Sequence, residues 1–252
     1  MLTAFFLGIG SGALALAIEK VILYVLNPEN VIFSPSFEVV GIADLVGPFV
    51  FSFLFAAIVE ESTKFIILKK YFEITVINQV IDGMKIGLAM GLGFAFLENF
   101  FYFFDTYNSG FGLGTIAVIF LLRGVLSTLA HSLYGIIMGY YLSLAKFHVA
   151  YRFKFLRSGL IASVLAHGFF NFFLITDMGI YSVIMLTVFL VIVLHWYNDR
   201  KNLELYITSK DKTLVVSPFL AEKLEKEIFA LGSASQETYL DKLWGLLMSK
   251  EK

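Results

Sequence analysis

Glu60 and Glu61 stand side by side in Val59-Glu60-Glu61-Ser62-Thr63-Lys64, inside an otherwise apolar stretch, with a lysine one helical turn on. Lys64 can neutralise one acid and leave the other available as a base. A third acid, Glu98, follows the apolar run Phe94-Ala95-Phe96-Leu97 and precedes Asn99. Arg123, Ser127 and His131 recur at four-residue spacing, as do His167 and Asn171, so each set shares one face of a helix. Two chemistries use such groups. Glu60, Glu98, His131 and His167 could hold a Zn²⁺ ion with an open position for water. In a metal-free version a glutamate acts as general base on water while His and Asn groups stabilise the developing oxyanion. Both hydrolyse an amide.

The elements that carry these residues are membrane helices. Of 252 residues, 58% are hydrophobic and 15% charged, and the mean hydropathy of +0.81 lies far outside the range of soluble domains. The apolar residues fall in six blocks: Leu2 to Leu26, Gly41 to Leu68, Gly83 to Phe104, Leu113 to Ala145, Leu156 to Thr176, and Ile180 to Trp196. Each is long enough for a helix to cross about 30 Å of hydrocarbon, whereas barrel strands need only about 10 residues. The fold class expected is therefore all-α and polytopic, with about six transmembrane helices and the chemistry in helices two to five. Leu2 to Leu26 lacks a basic leader region and a small-residue cleavage site, so it reads as a retained helix.

Lysines and arginines alternate by side. Lys69 and Lys70, then Arg152 and Lys154, then Arg200 and Lys201 fall on one set of connections, and the alternate connections have none. This predicts both termini in the cytoplasm of a prokaryotic plasma membrane. Lys20, beside Glu19, is the exception and reads as a residue near an outer boundary. Residues 1–197 form the expected membrane domain. Residues 198–252 have soluble composition and form an expected cytoplasmic helical tail, with Leu220, Leu224 and Ile228 on one side of a helix at Ser217 to Phe229.

Ionisable side chains in hydrocarbon are costly, so those present face a cavity, a partner or a substrate path. Counted at 1.5 Å per residue from the nearest basic residue, Glu60 lies about 13 Å deep, His167 about 15, Glu98 about 20 and His131 about 22. They share a level within about one and a half turns, close enough for several helices to assemble one site. Gly83, Gly87, Gly91 and Ala95, and later Gly135 and Gly139, are spaced for close helix contacts. The chain has no cysteine, which excludes a thiol nucleophile, and its net charge of -1 offers no basic patch for nucleic acid. Ser62 and Ser127 lack a nucleophile-elbow motif. An ion- or proton-coupled transporter also uses intramembrane Glu and His, but transporter-type repeats are not apparent.

Glu60-Glu61-Ser62-Thr63-Lys64, then Asp82-Gly83 through Gly91-Leu92-Gly93-Phe94-Ala95-Phe96-Leu97-Glu98-Asn99 to Tyr102, then Arg123 with His131, then His167 to Asn171, resemble PrsW intramembrane proteases in order and spacing. The resemblance covers Glu60 to Asn171, about half the chain. It implies site-1 cleavage of a single-pass membrane protein in the bilayer, such as an anti-sigma factor. Glu60 would be the water-activating base and Glu61 its partner, oriented by Lys64. Glu98, His131 and His167 would complete the centre, Asn171 would help bind the oxyanion, and Arg123 and Asn99 would support it. The wider superfamily contains the CAAX prenyl endopeptidases, so a peptidase of prenylated or bacteriocin-type peptides is the alternative enzyme. Family descriptions favour a metalloprotease, while the prenyl-peptidase relatives suggest the metal-free glutamate route.

Overall fold

Apolar runs of this length have no water to hydrogen-bond in hydrocarbon, so each closes its backbone bonds internally as a helix. The computed structural model describes residues 1–26, 39–77, 79–201, 205–209 and 212–216. Within them lie six helical spans long and apolar enough to cross a membrane. They are α1 (Leu2–Leu26), α2 (Ile42–Ile74), α3 (Val80–Asn108), α4 (Leu113–Phe147), α5 (Arg152–Ile175) and α6 (Gly179–Lys201). Most run a few residues past their apolar blocks, because polar groups can cap helix ends beyond the hydrocarbon. At the start of α3, for example, Asp82 accepts from the backbone N–H of Gln79.

The span α2 is composite. A 3₁₀ turn at Ile42–Leu45 and a short α-helical piece at Val46–Val50 lead into a π-helical stretch, Phe51–Ala57, before the regular helix Ile58–Ile74 that carries Glu60, Glu61 and Lys64. Such wide turns often sit at functional sites. Here Phe53, buried in the π stretch, packs against Gly168 of α5, where any Cβ would collide with its ring. The missing side chain lets α2 approach α5 right beside His167.

The most extensive helix contact is between α3 and α4. It is a contact of backbones: a Cβ on Gly83, Gly87 or Gly91 would overlap the carbonyls of Gly139, Gly135 and His131 respectively. Helix α1 packs on the other side of α3 in the same manner, Gly8 against Met90 and Gly93 against Phe5. At the basic-residue end of the bundle Leu68, Phe72, Met90, Met138 and Leu142 form a shared apolar core. Lys146 in the last turn of α4 donates to the carbonyls of Phe72 (2.9 Å) and Thr75 (2.8 Å) at the end of α2. It thereby satisfies acceptors that no further helical turn could reach.

After α6, Leu205–Ser209 and Lys212–Val216 pair as an antiparallel hairpin, Leu205 opposite Val216. Most of residues 198–252, where a helical tail is expected, lies outside the described residues; within the hairpin Tyr206, Ile207, Thr208, Thr213, Val215 and Val216 are β-branched or aromatic, types that favour strand. The helix expected at 217–229 lies outside the described residues.

Because Gly87 meets the backbone of Gly135, Gly87→Leu forces α3 and α4 apart and with them Glu98 and His131. We expect it to destabilise the detergent-solubilised protein by about 1–3 kcal/mol or prevent folding. Wild-type thermal stability in that variant would contradict the packing described.

Candidate active site

The regular part of α2 turns Glu60, Glu61 and Lys64 inward; Lys64 is 1% exposed and Glu61 0%. Removing an ammonium and a carboxylate from water costs several kcal/mol each, so they persist only as partners. The Nζ of Lys64 lies 2.7 Å from Oε1 of Glu61 and 3.7 Å from Oε2 of Glu60. It also lies 3.0 Å from Nδ1 of His131, on α4, and 3.6 Å from the centroid of the Phe94 ring. An ammonium only donates, so Nδ1 of His131 accepts and its Nε2–H is left to donate. That proton points at Oε2 of Glu98, 2.7 Å away.

Glu98 is held from three sides. Nη2 of Arg123 donates at 2.6 Å and Oγ of Ser127 at 3.2 Å, and the His131 ring completes the set. The four-residue stripe on α4 thus has a single addressee on α3. Arg123 also stacks over Tyr102, 3.8 Å from the ring centroid. Asn99 is turned elsewhere, its amide donating to Oγ1 of Thr128.

Helix α5 supplies His167, whose Nδ1 lies 2.9 Å from Oε1 of Glu61 and 3.9 Å from Oε2 of Glu60. Asn171, one turn on, reaches Nε2 of His167 with its amide at 3.0 Å. Tyr134 of α4 stacks on the His167 ring, centroids 5.2 Å apart and planes 17° off parallel. All the residues singled out in the sequence are therefore in one neighbourhood except Asn99, which contacts the α3–α4 interface.

Ligand atoms of Glu60, Glu61, His131 and His167 lie within 4.8 Å of one another. Buried Oε2 atoms of both Glu60 and Glu61 lack hydrogen-bond partners there. Two imidazoles, two carboxylates and orphaned acceptor oxygens fit a divalent cation of the zinc type, and His131, turned by a carboxylate on its far nitrogen, has the orientation common to metal-bound histidines. Lys64 already contacts Glu61 and His131, so it neutralises the same acids a metal would. Glu98, expected as a ligand, stands outside this group of four. Its oxygens face Arg123, Ser127 and the far side of His131, so it acts on the group through the imidazole.

The group opens into a cavity of about 690 Å³, lined among others by Glu60, Glu98, His131, His167 and Asn171. It extends to Leu23 near the end of α1, Tyr102 on α3, Ile119 on α4, Ile175 at the end of α5 and Asp177 just beyond it. These positions lie toward the end of the bundle opposite Lys69, Lys70, Lys146 and Arg152. One lining residue escaped sequence reasoning: Glu19 on α1, whose Oε1 is buried without a partner. The signal was present, since Glu19 continues the Gly8, Gly12 and Ala15 face that packs toward α3, while Lys20, next in sequence, is exposed.

Residues 1–196 match the family model described as PrsW family intramembrane metalloprotease. Protease PrsW of Shouchella clausii is 31% identical over 182 residues, covering 72% of this chain and 74% of that protein. Protease PrsW of Clostridioides difficile is 31% identical over 64% of this chain and 66% of its own length. The Bacillus subtilis protein of the same name is 34% identical over 62% of this chain and 66% of its own. No solved structure matches the chain.

Glu98→Gln keeps the shape of the side chain but removes the charge that holds the Nε2–H of His131. In assays of proteolysis kcat is expected to fall about 10- to 100-fold, with a drop in thermal stability because Arg123 loses its anion. An unaltered kcat would show that the orientation of His131 does not depend on Glu98.

Proposed function

The chain belongs to the PrsW family of intramembrane proteases, and from that premise we propose that it performs a site-1 type cleavage of a single-pass membrane protein, with water activated by Glu60. The observation that carries the proposal is the contrast between the two adjacent acids. Glu61 is committed, accepting from both Lys64 and His167 through one oxygen. Glu60 has only the longer approaches to Lys64 and His167, its buried Oε2 is free of hydrogen bonds, and its side chain, unlike that of Glu61, lines the cavity. A base must have its lone pair available and a path to the substrate; Glu60 has both.

In this reading Glu61, His131 and His167 would hold the metal ion, which when bound would polarise the scissile carbonyl and lower the pKa of its water. Glu60 takes the proton from the attacking water and can return it to the leaving amine. Lys64 fixes Glu61 and balances the paired acids. Asn171 orients His167 through Nε2 and has a second amide N–H for the oxyanion. The cavity would admit an extended segment from the bundle end opposite Lys69, Lys70, Lys146 and Arg152. The Lys and Arg distribution favours a reading in which that end is extracytoplasmic in a plasma membrane and both termini are cytoplasmic, a geometry that would suit a first cut in an anti-sigma factor or similar single-pass substrate.

Purified wild type in detergent is expected to cleave single-pass substrates, to lose activity on chelation and to regain it with Zn²⁺. Glu60→Gln should retain about one Zn²⁺ per chain while kcat falls about 10²- to 10⁴-fold, whereas His131→Ala and His167→Ala should lose the metal itself. An equally active Glu60→Gln would overturn the assignment of the base. Activity that survives complete removal of metal would overturn the ligand roles and leave Glu60 with the metal-free route.

A further inference from the structure

Glu19 lies in the outer half of α1, with one carboxylate oxygen enclosed and unpartnered, in the wall of the same cavity as Glu60 and Glu98. Neither Glu19 nor Asp177 has an ion-pair partner among the described residues, and Lys20 is turned away to the outside. The rest of that part of the wall is apolar: Leu16, Leu23, Phe51, Phe55, Leu122 and Ile175. Arg123, the guanidinium that lines the cavity, is already bound to Glu98 at 2.6 Å. An enclosed carboxylate is costly without a donor or a cation opposite it. Glu19 lines the cavity, so a cation carried into it by a bound segment would meet this carboxylate. Asp177 stands at the cavity's far end with φ of 58°, a left-handed conformation that glycine adopts at less cost.

We propose that Glu19 is a specificity-determining residue that binds a lysine or arginine side chain of the substrate close to the scissile bond, with Asp177 adding to the negative field at the entrance. The inference rests on the protease reading and deepens it by naming the substrate's class: an apolar spanning segment with one cationic residue in its extracytoplasmic half. In a cavity with low-dielectric walls a carboxylate discriminates strongly between a cation, a neutral isostere and an anion. Glu19 is not part of the group that activates water, so its removal should act on binding more than on the chemical step.

The test uses the full chain in liposomes and a set of synthetic single-pass peptides of one apolar sequence, each carrying a single Lys, Gln or Glu at successive positions of the extracytoplasmic half. Cleavage sites are read by mass. Wild type is expected to cut the Lys peptides best, at a fixed distance from the lysine. Glu19→Gln should raise KM for them roughly tenfold or more while changing kcat little and leaving the Gln peptides unaffected. Glu19→Lys should shift the preference to the Glu peptides, and thermal unfolding of both variants checks that they are folded. A wild type that cuts all peptides alike, or a Glu19→Gln that keeps the lysine preference, would overturn the inference and leave the protease reading intact. If wild type cuts none of them, the reading of single-pass cleavage falls and this inference with it, whereas a Glu60→Gln that cuts as well as wild type removes only the assignment of the base.

Discussion

A lysine buried inside hydrocarbon organises this molecule. Lys64 has Glu61 and Glu60 on its own helix, the Nδ1 of His131 on α4 and the ring of Phe94 on α3. No single one of these contacts would compensate the loss of water around an ammonium. Together they make Lys64 the junction of three helices, and the direction of its donors propagates. Because His131 accepts at Nδ1 it donates at Nε2, which fixes Glu98, and Glu98 in turn fixes Arg123. On the other side Glu61 draws in His167, and His167 draws in Asn171. The polar network is a chain of forced choices of donor and acceptor beginning at one cation.

Such a network tolerates little positional error, and the glycine contacts supply the precision. His131 is held at its backbone by Gly91, and His167 lies next to Gly168, over which Phe53 closes. Between lipid-exposed faces there is no hydrophobic drive to bring helices together, so close backbone approach and interhelical hydrogen bonds must do it. In this chain both occur at the same residues. Packing sets the distances, and the ion cluster sets which side chains meet across them.

Much of this was legible in the sequence. The six apolar blocks correspond to the six spans, and the Glu60, Glu61 and Lys64 set, His131 and His167 converge as their shared depth implied. Depth is one coordinate, however, and the direction around each helix axis is another. Glu98 lies close enough in depth to His131 to look like a ligand, yet it approaches that ring from behind. Glu19 was obscured by its charged neighbour, which made the pair look like a boundary marker. The 100° turn between successive helical residues separates them, one inward with the small-residue face and one outward. The π-helical stretch of α2 had no sequence signal, since Phe51–Ala57 is composed like any apolar helix, and in the structure it packs against α5.

The most direct test of the account is a double-mutant cycle on Lys64 and Glu61, followed by thermal or denaturant unfolding in a single detergent. Lys64→Met leaves two acids buried without their cation and is expected to cost about 3–5 kcal/mol. Adding Glu61→Gln removes one of those charges, so the double variant should recover a large part of that loss, with a coupling well above 1 kcal/mol, of the size seen for residues in one ionic network. Effects that simply add, to within about 0.5 kcal/mol, would mean that Lys64 and Glu61 do not depend on each other, and that the cluster is not what holds these helices in register.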